Sequence, residues 1–389
     1  MVIIGALLVL LPSFITAFPA LQSPVTSGVQ AQLDPYTALG KPRITFKEDG
    51  TFKLTVFSDL HFGENPEGPW GEVQDSNSTR LMKRVLRDEK PDYVVLNGDL
   101  LTGENTHREN STRLIDRIVK PLNHAKVPFS STHGNHDNDV NITHIEEILR
   151  EQKRAPLSYT RLAPKGVGGL QGEGNYWVPW LQVYRSKYDW SPSLILWFFD
   201  SRGGRTLASP GNSSSSVVPI PDWVDNSVVP WLKNQLTLME TIWGPSKHIR
   251  SALAFMHIPP YAIKALQSGL DSKKNPGQNG ESDHLGDGSV QNPQDEPFWN
   301  ALTKIPNLRA IVSGHDHGNE WCAREPEKDV IFCFDKHSGY GGYSKDGWGH
   351  GVRNFVFRDA NPRSPIDTWI RLEEGEIRAK VVLDDNYGR

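Results

Sequence analysis

Aspartate, asparagine and histidine recur in this chain in short clusters, each placed just after a run of β-prone residues. Asp59-Leu60-His61 comes after Thr55-Val56-Phe57, and Gly98-Asp99 after Val94-Val95-Leu96-Asn97. Gly134-Asn135-His136-Asp137 comes after Phe129-Ser130-Ser131, His257 after Ala254-Phe255-Met256, and Gly314-His315-Asp316-His317 after Ile311-Val312-Ser313. In an open α/β sheet ligands bind beyond the carboxyl ends of the strands, so side chains distant in sequence meet on one edge. Carboxylate, amide and imidazole together suit a pair of borderline ions such as Fe, Zn or Mn, whereas Ca or Mg would take oxygen alone. No thiolate takes part, which excludes a cysteine-type structural zinc site. The glycines fit turns that need positive φ or a close backbone approach.

Each block has a plainer reading when taken alone. A single D-x-H is a solvated strand end, and a single G-D is a turn. G-N-H-D can be a turn whose Asn caps the next helix, and His257 before Pro259-Pro260 can be a packed loop histidine. Asp137 either orients an imidazole or caps the following helix, with the cap favoured. His315 and His317 are more telling, because i and i+2 on an extended segment point the same way. Five such blocks in succession make coincidence a poor explanation.

In this order, D-x-H, G-D, G-N-H-D, a single His and G-H-x-H resemble the calcineurin-like metallophosphoesterase superfamily. The resemblance runs from about residue 43 to 383. In detail it is similar to the fungal and plant branch grouped as purple acid phosphatase-like, with Asn175-Tyr176, Phe199-Asp200-Ser201 and Gly339-Tyr340 at matching segments. The resemblance implies an α/β fold: a β-sandwich of mixed sheets flanked by helices, with the metal site at the carboxyl ends of strands. It implies two metal ions per chain, one held by Asp59, His61, Asp99 and His317. The other is held by Asp99, Asn135, His257 and His315, so that Asp99 bridges. His136 lies outside the ligand set and faces substrate. Purple members carry a Tyr ligand three residues beyond the G-D aspartate; Thr102 stands there in this chain, so no iron-phenolate colour is expected. The implied activity is hydrolysis of phosphomonoesters by a metal-bridging hydroxide, with His136 as general acid or hydrogen-bond donor. A phosphodiesterase and a non-catalytic phosphate-binding protein are the alternatives. Tyr176, Arg202 and His350 are expected on loops as substrate contacts.

The elements that must position these residues alternate between strand and helix, the pattern of α/β architecture with parallel pairing. Strands are expected at Tyr93–Leu96, Val127–Ser131, Leu194–Phe199, Leu253–Phe255 and Ala310–Val312. Helices are expected at Thr79–Asp88, Thr112–His124, His144–Arg150 and Val229–Ile242, and Val330–Leu383 reads as strands and turns. Ser209–Ser216 and Ser268–Gln294 are polar excursions, the second expected as a mobile flap over the site. Residues 43–389 are expected as one phosphoesterase domain, preceded by a linker over 18–42.

With 42 basic and 46 acidic residues, a net charge of -4 and no basic block, the chain lacks the electrostatic footprint of a nucleic-acid binder. The 12 Trp read as core rather than as a carbohydrate-binding surface. Met1 to Ala20 carries no charged side chain, and its apolar run from Val2 to Leu11 is shorter than a bilayer span, so a signal peptide over 1–17 and no stable membrane anchor are expected. Asn77, Asn110, Asn141 and Asn212 each open an N-x-[ST] sequon. Cys322 and Cys333 are expected to pair across a hairpin, contributing about 3 kcal/mol in the chain-entropy view. Together these features imply a secreted glycoprotein with a disulfide.

Overall fold

The apolar alternation that starts at Ile44 builds two sheets facing one another. A computed structural model describes residues 34–181, 191–207, 217–246, 249–282 and 294–389. The expected signal peptide, the linker up to residue 33, the Ser209–Ser216 run with Asn212, and the end of the 268–294 excursion lie outside the described residues.

The first sheet contains β2 (Phe52–Phe57), β3 (Tyr93–Asn97), β4 (Phe129–Thr132), β13 (Gly351–Phe357), β14 (Ile366–Leu372) and β15 (Ile377–Leu383), in the order β15-β14-β13-β2-β3-β4. The second contains β1 (Ile44–Thr45), β5 (Tyr176–Leu181), β6 (Leu194–Phe198), β9 (Ser251–Phe255), β10 (Leu308–Ser313), β11 (Cys322–Glu325) and β12 (Val330–Phe334). Its order is β1-β5-β6-β9-β10-β12-β11. A small hairpin of β7 (Arg205–Leu207) and β8 (Val217–Pro219) stands apart. Pairing is parallel along β2-β3-β4 and along β6-β9-β10-β12, and antiparallel from β2 through β13, β14 and β15. The sheets are therefore mixed.

Strand periodicity decides which side chains enter which layer. Tyr93 and Val95 join Leu54, Val56, Phe198, Phe255 and Val312 between the sheets. Val94 and Leu96 point the other way, against Leu81 and Val85 of α1 (Pro69–Glu89) and Ile118 and Leu122 of α2 (Arg113–Ala125). Trp197, Ala254 and Ile311 likewise meet Trp231 and Leu232 of α4 (Val228–Trp243) and Phe298 and Leu302 of α5 (Glu296–Leu302). Central strands buried on both faces read as unbroken apolar runs. Full burial of each such side chain contributes about 1.5–3 kcal/mol. Helix α3 (His144–Arg154) opens on Thr143, whose side chain accepts from Glu146 N–H as an N-cap.

Several elements differ from expectation. Helix α1 starts ten residues before Thr79, at Pro69. Its first half holds Gly71, Asp75, Ser76 and Asn77, poor helix formers kept there by tertiary bonds. Asp75 accepts from Gly63 N–H, and Ser78 from Tyr340 N–H. Strand β5 and helix α5 are additional to the expected elements. Within the expected linker, Tyr36 is buried and donates its hydroxyl to Trp177 O at 2.8 Å. Cys322 and Cys333 face each other across antiparallel β11 and β12 and form a disulfide. No helix among the described residues is long and apolar enough to cross a membrane.

Candidate metal centre

Strands β2, β3, β4, β9 and β10 all deliver their carboxyl ends to one edge, and the loops beyond them stay bonded to each other. Asp59 N–H donates to Gly98 O, and His61 N–H to Asp99 O, both at 3.0 Å. Asp59, His61, Asp99 and His315 take φ values of 52°, 46°, 47° and 73°, the left-handed region that non-glycine residues seldom occupy. Such conformations persist where the surroundings over-determine them and cluster at functional sites. Two glycines are required by close approach. A Cβ on Gly98 would lie 2.5 Å from the His257 ring, and one on Gly134 would lie 2.3 Å from Asp99 Oδ1.

The side chains converge in two groups whose ligating atoms lie within 4.8 Å of one another: Asp59, His61 and His317, and Asp99, His257 and His315. The groups adjoin. Asp99 Oδ2 is 3.0 Å from His257 Nε2 and 3.8 Å from His61 Nε2, so it reaches imidazoles of both. Asp59 Oδ1 lies 3.4 Å from His317 Nε2 and 3.8 Å from His257 Nε2. Asn135, between Gly134 and His136, whose backbones approach Asp99, has a buried Oδ1 that no donor meets, and the Nε2 atoms of His61 and His315 are likewise buried without a hydrogen-bond partner. Buried polar atoms are almost always satisfied, so this donor set fits divalent cations. His315 and His317 enter different groups rather than pointing the same way. Positive φ at His315 breaks the extended course that the i, i+2 reading assumed.

Three of the four imidazoles, those of His61, His257 and His317, are aimed through their other nitrogen, as metal-binding histidines usually are. His61 Nδ1 is 3.0 Å from Thr102 Oγ1, which donates to Glu64 Oε2 at 2.5 Å. His257 Nδ1 donates to Asn97 O at 2.9 Å, and His317 Nδ1 to Tyr343 O at 2.6 Å. Asp137 does neither job expected of it. Its Oδ1 accepts from Leu100 and Leu101 N–H and its Oδ2 from Gly134 N–H, binding the G-D loop to the G-N-H-D loop. Burial, reinforced by the Asp99 charge, lifts the Asp137 carboxyl to about 7.

Burial holds His61 and His315 near 3, which keeps them in the neutral form that can ligate. His257 responds differently. Burial opposes its charge, yet Asp99 and Asp59 outweigh burial and raise it to about 10. Burial likewise works against ionisation of Asp59, but His317 and His257 bring it to about 2. These two carboxylates call for positive charge at the centre of the site.

A cavity of about 420 Å³ opens over both groups, lined by His61, Asp99, His136, Glu281, His315, His317, Tyr343 and Lys345. His136 Nδ1 pairs with Glu104 Oε1 at 2.7 Å. Although burial works the other way, Asp99 and Glu104 raise His136 to about 10. The three expected substrate contacts lie elsewhere. Tyr176 opens strand β5 rather than a loop, is buried, and donates its hydroxyl to Ser131 O at 2.7 Å. Arg202 is buried, with Nε on Trp223 O and Nη1 at 3.2 Å from Asp225. His350 stacks on Tyr340, behind His337. Their apparent loop positions carried no information about direction.

Sequence reasoning missed Glu64, Glu281, Tyr343 and Lys345, which sit on loops, and Glu104, in a single 3₁₀ turn over Gly103–Asn105, none of which carries a periodic signal. Asp200 was noted only within the matching segment Phe199-Asp200-Ser201, and its pairing with His144 was missed. Asp200 lies two residues past the end of β6, close behind its strand as the other site residues are, so the strand-end rule could have pointed to it. Of the described sequons, Asn110 is exposed in a turn, Asn77 lies within α1, and Asn141 Nδ2 donates to Thr106 O at 2.8 Å.

Residues 52–319 match the profile of the calcineurin-like phosphoesterase family, and the chain belongs to that family. It is 25% identical to "Probable inactive purple acid phosphatase 14" of Arabidopsis thaliana, covering 86% of this chain and 84% of that protein. It is equally 25% identical to "Probable inactive purple acid phosphatase 29" of the same plant, over 89% of this chain and 88% of that one. The chain thus falls in the purple acid phosphatase-like branch. "Phosphatase DCR2" of Saccharomyces cerevisiae is 27% identical over 76% of this chain and 49% of its own length. In fold the chain matches a dimetal phosphatase from Danio rerio with a TM-score of 0.52 at 12% identity, over 86% of this chain and 99% of that one. Two clusters of Asp and His suited to a dinuclear site, on this fold, are of the metallophosphoesterase type and consistent with phosphoester hydrolysis.

Proposed function

We propose that the protein is a dinuclear-metal phosphatase that hydrolyses phosphomonoesters. The observation that carries this reading is the convergence of His61 and His317 with Asp59, and of His257 and His315 with Asp99, under a cavity that also exposes His136. Asp59, His61, Asp99 and His317 would hold one ion, and Asp99, Asn135, His257 and His315 the other, with Fe, Zn or Mn suited to such donors. A bound pair supplies Lewis acidity that lowers the pKa of water and neutralises phosphoryl charge.

The chain's own residues account for the rest. His136, whose ring Glu104 holds through Nδ1, would hold a proton for the departing alkoxide. Glu104 fixes the ring through Nδ1 and leaves Nε2 for that donation. Thr102, where the resemblance implies a purple enzyme's Tyr, supports His61 instead, so a colourless or pale protein is expected.

A phosphodiesterase would use the same residues, so the deciding assay is side-by-side turnover of an aryl phosphomonoester and a diester, with metal content measured on the same sample. Faster diester turnover overturns the monoester assignment. The plant relatives bear names that call them inactive, which keeps a non-catalytic phosphate-binding protein as the competing reading. The complete donor set and the His136–Glu104 pair support catalysis here. No turnover of either ester by the two-metal protein would establish the competing reading. Passage through the secretory pathway is proposed from the uncharged apolar N-terminus, the sequons and the Cys322–Cys333 disulfide.

A further inference from the structure

His317 is the most elaborately held of the candidate ligands. Its ring lies between two others: Tyr343 stacks on it with centroids 4.0 Å apart and planes 5° off parallel, and His337 lies 5.0 Å away at 8°. The carbonyl of Tyr343 accepts from its Nδ1, which directs Nε2 toward Asp59. Tyr343 is therefore what aims His317, yet it stands on a partly exposed loop and needs its own anchor.

That anchor comes from another part of the chain. Residues 278–281 lie across the segment that follows His317: Gly280 N–H donates to Gly318 O at 2.9 Å, and Glu320 N–H to Gln278 O at 2.8 Å. Gln278 Nε2 also reaches Gly347 O at 3.2 Å, on the loop that carries Tyr343. At the end of this strap, Glu281 Oε1 accepts from Gly318 N–H at 2.7 Å and from the Tyr343 hydroxyl at 3.0 Å. One carboxylate oxygen thus binds the residue after His317 to the ring that stacks on it.

We infer that Glu281 is a positioning residue for the ion held by Asp59, His61 and His317, acting through Tyr343 on the orientation of His317. A substrate-binding role is the less suitable alternative for a carboxylate at this cavity, since it would repel a phosphoester dianion. The inference rests on the dinuclear reading above, and the test separates the two.

The full-length protein is loaded with zinc or manganese, dialysed against a graded series of chelator, and its bound metal counted. Wild type should hold about two ions per chain where Glu281→Ala falls to about one, a loss of roughly 10–100-fold in affinity at a single site, typical for removing an outer support. Glu281→Gln should behave as wild type, because its amide oxygen still accepts both bonds. Tyr343→Phe keeps the stack but loses the hydroxyl's 3.0 Å bond to Glu281, along with its longer contacts to His315 O and His317 N–H, so it should lose the same ion at a lower chelator threshold than wild type. This second variant decides the matter on its own if Glu281→Ala does not fold. Two tightly held ions in Glu281→Ala and Tyr343→Phe, with only KM altered, would overturn the inference and make Glu281 a substrate contact. Equal metal loss in Glu281→Gln and Glu281→Ala would also overturn it, since charge and not hydrogen bonding would then be the cause. A wild-type chain that never binds two ions removes the dinuclear reading itself, and the inference with it.

Discussion

The two halves of the metal centre are supported in different ways. In the half made by Asp59, His61 and His317, the outer supports are side chains on loops: Thr102 and Glu64 behind His61, Tyr343 and Glu281 around His317. In the half made by Asp99, His257 and His315, the supports are mostly backbone. Asn97 O fixes His257, His136 N–H fixes Asp99 Oδ1 at 2.9 Å, and Gly98 and Gly134 approach so closely that no side chain could stand in their place. The first half can be loosened by single substitutions without touching the core. The second half is inseparable from the fold.

Removing the residue common to both halves should have the largest effect. Asp99→Ala deletes the carboxylate that lies near His61 and His257 alike, so both ions and all activity should go together. Metal analysis of the purified variant checks this, and retention of two ions would show that Asp99 does not join the halves. His136→Ala should keep both ions and lose roughly 10²–10⁴-fold in rate, the usual contribution of a general acid. The loss should be smaller for an activated phenol than for an alkyl phosphate, because a good leaving group needs little protonation. Equal losses on both substrates, with metals retained, would leave His136 without its proposed role.

The same contrast explains what could be learned from sequence. Asp59, His61, Asp99, His257, His315 and His317 were legible because each follows a β-run, and parallel strands bring their carboxyl ends together whatever lies between. Thr102 and Asp137 were visible but their tasks were not, since a hydroxyl or carboxylate near a turn has many local uses. Glu281 and Tyr343 were invisible for a different reason. They belong to loops 62 residues apart whose meeting depends on tertiary packing, and neither periodicity nor turn chemistry encodes that meeting. Tyr176 failed in the opposite sense. Its neighbours suggested a loop, but strand β5 buries it against Phe198, where burial of a ring outweighs local propensity.

A milder change sharpens the comparison within the first half. Thr102→Val preserves shape but removes both the contact to His61 Nδ1 and the bond to Glu64. One ion should bind about 10–100-fold more weakly while the other is unaffected, as expected when an outer support is lost. Chelator titration followed by metal counting reads this directly. Uniform weakening of both ions would show that the halves are not independently supported.

The smallest effect should be on stability, in the frame of the second half. His144 Nδ1 lies 2.9 Å from Asp200 Oδ2 and its Nε2 lies 2.9 Å from Gly134 O, so both ring nitrogens face acceptors, an arrangement that favours the protonated imidazole. Burial opposes that charge, but Asp200 overcomes it and raises His144 from 6.5 to about 9. A group whose pKa is raised by folding stabilises fully below its unfolded pKa, and that contribution disappears as pH rises through the folded value. Stability from this pair should therefore be complete below about 6.5 and lost by about 9, an amount on the order of 3 kcal/mol from the shift alone. On the acid side Asp200, with its pKa depressed by His144, contributes above its ordinary carboxylate range and loses that contribution as pH falls through the depressed value. Melting temperature at fixed saturating metal should thus decline by several degrees between pH 6.5 and 9. In Asp200→Asn the raised pKa loses its main cause, so the variant should melt lower at pH 6.5 and show a flatter alkaline decline. An alkaline slope identical to that of wild type would mean that His144 is neutral in the folded protein, with Gly134 held by something other than this ion pair.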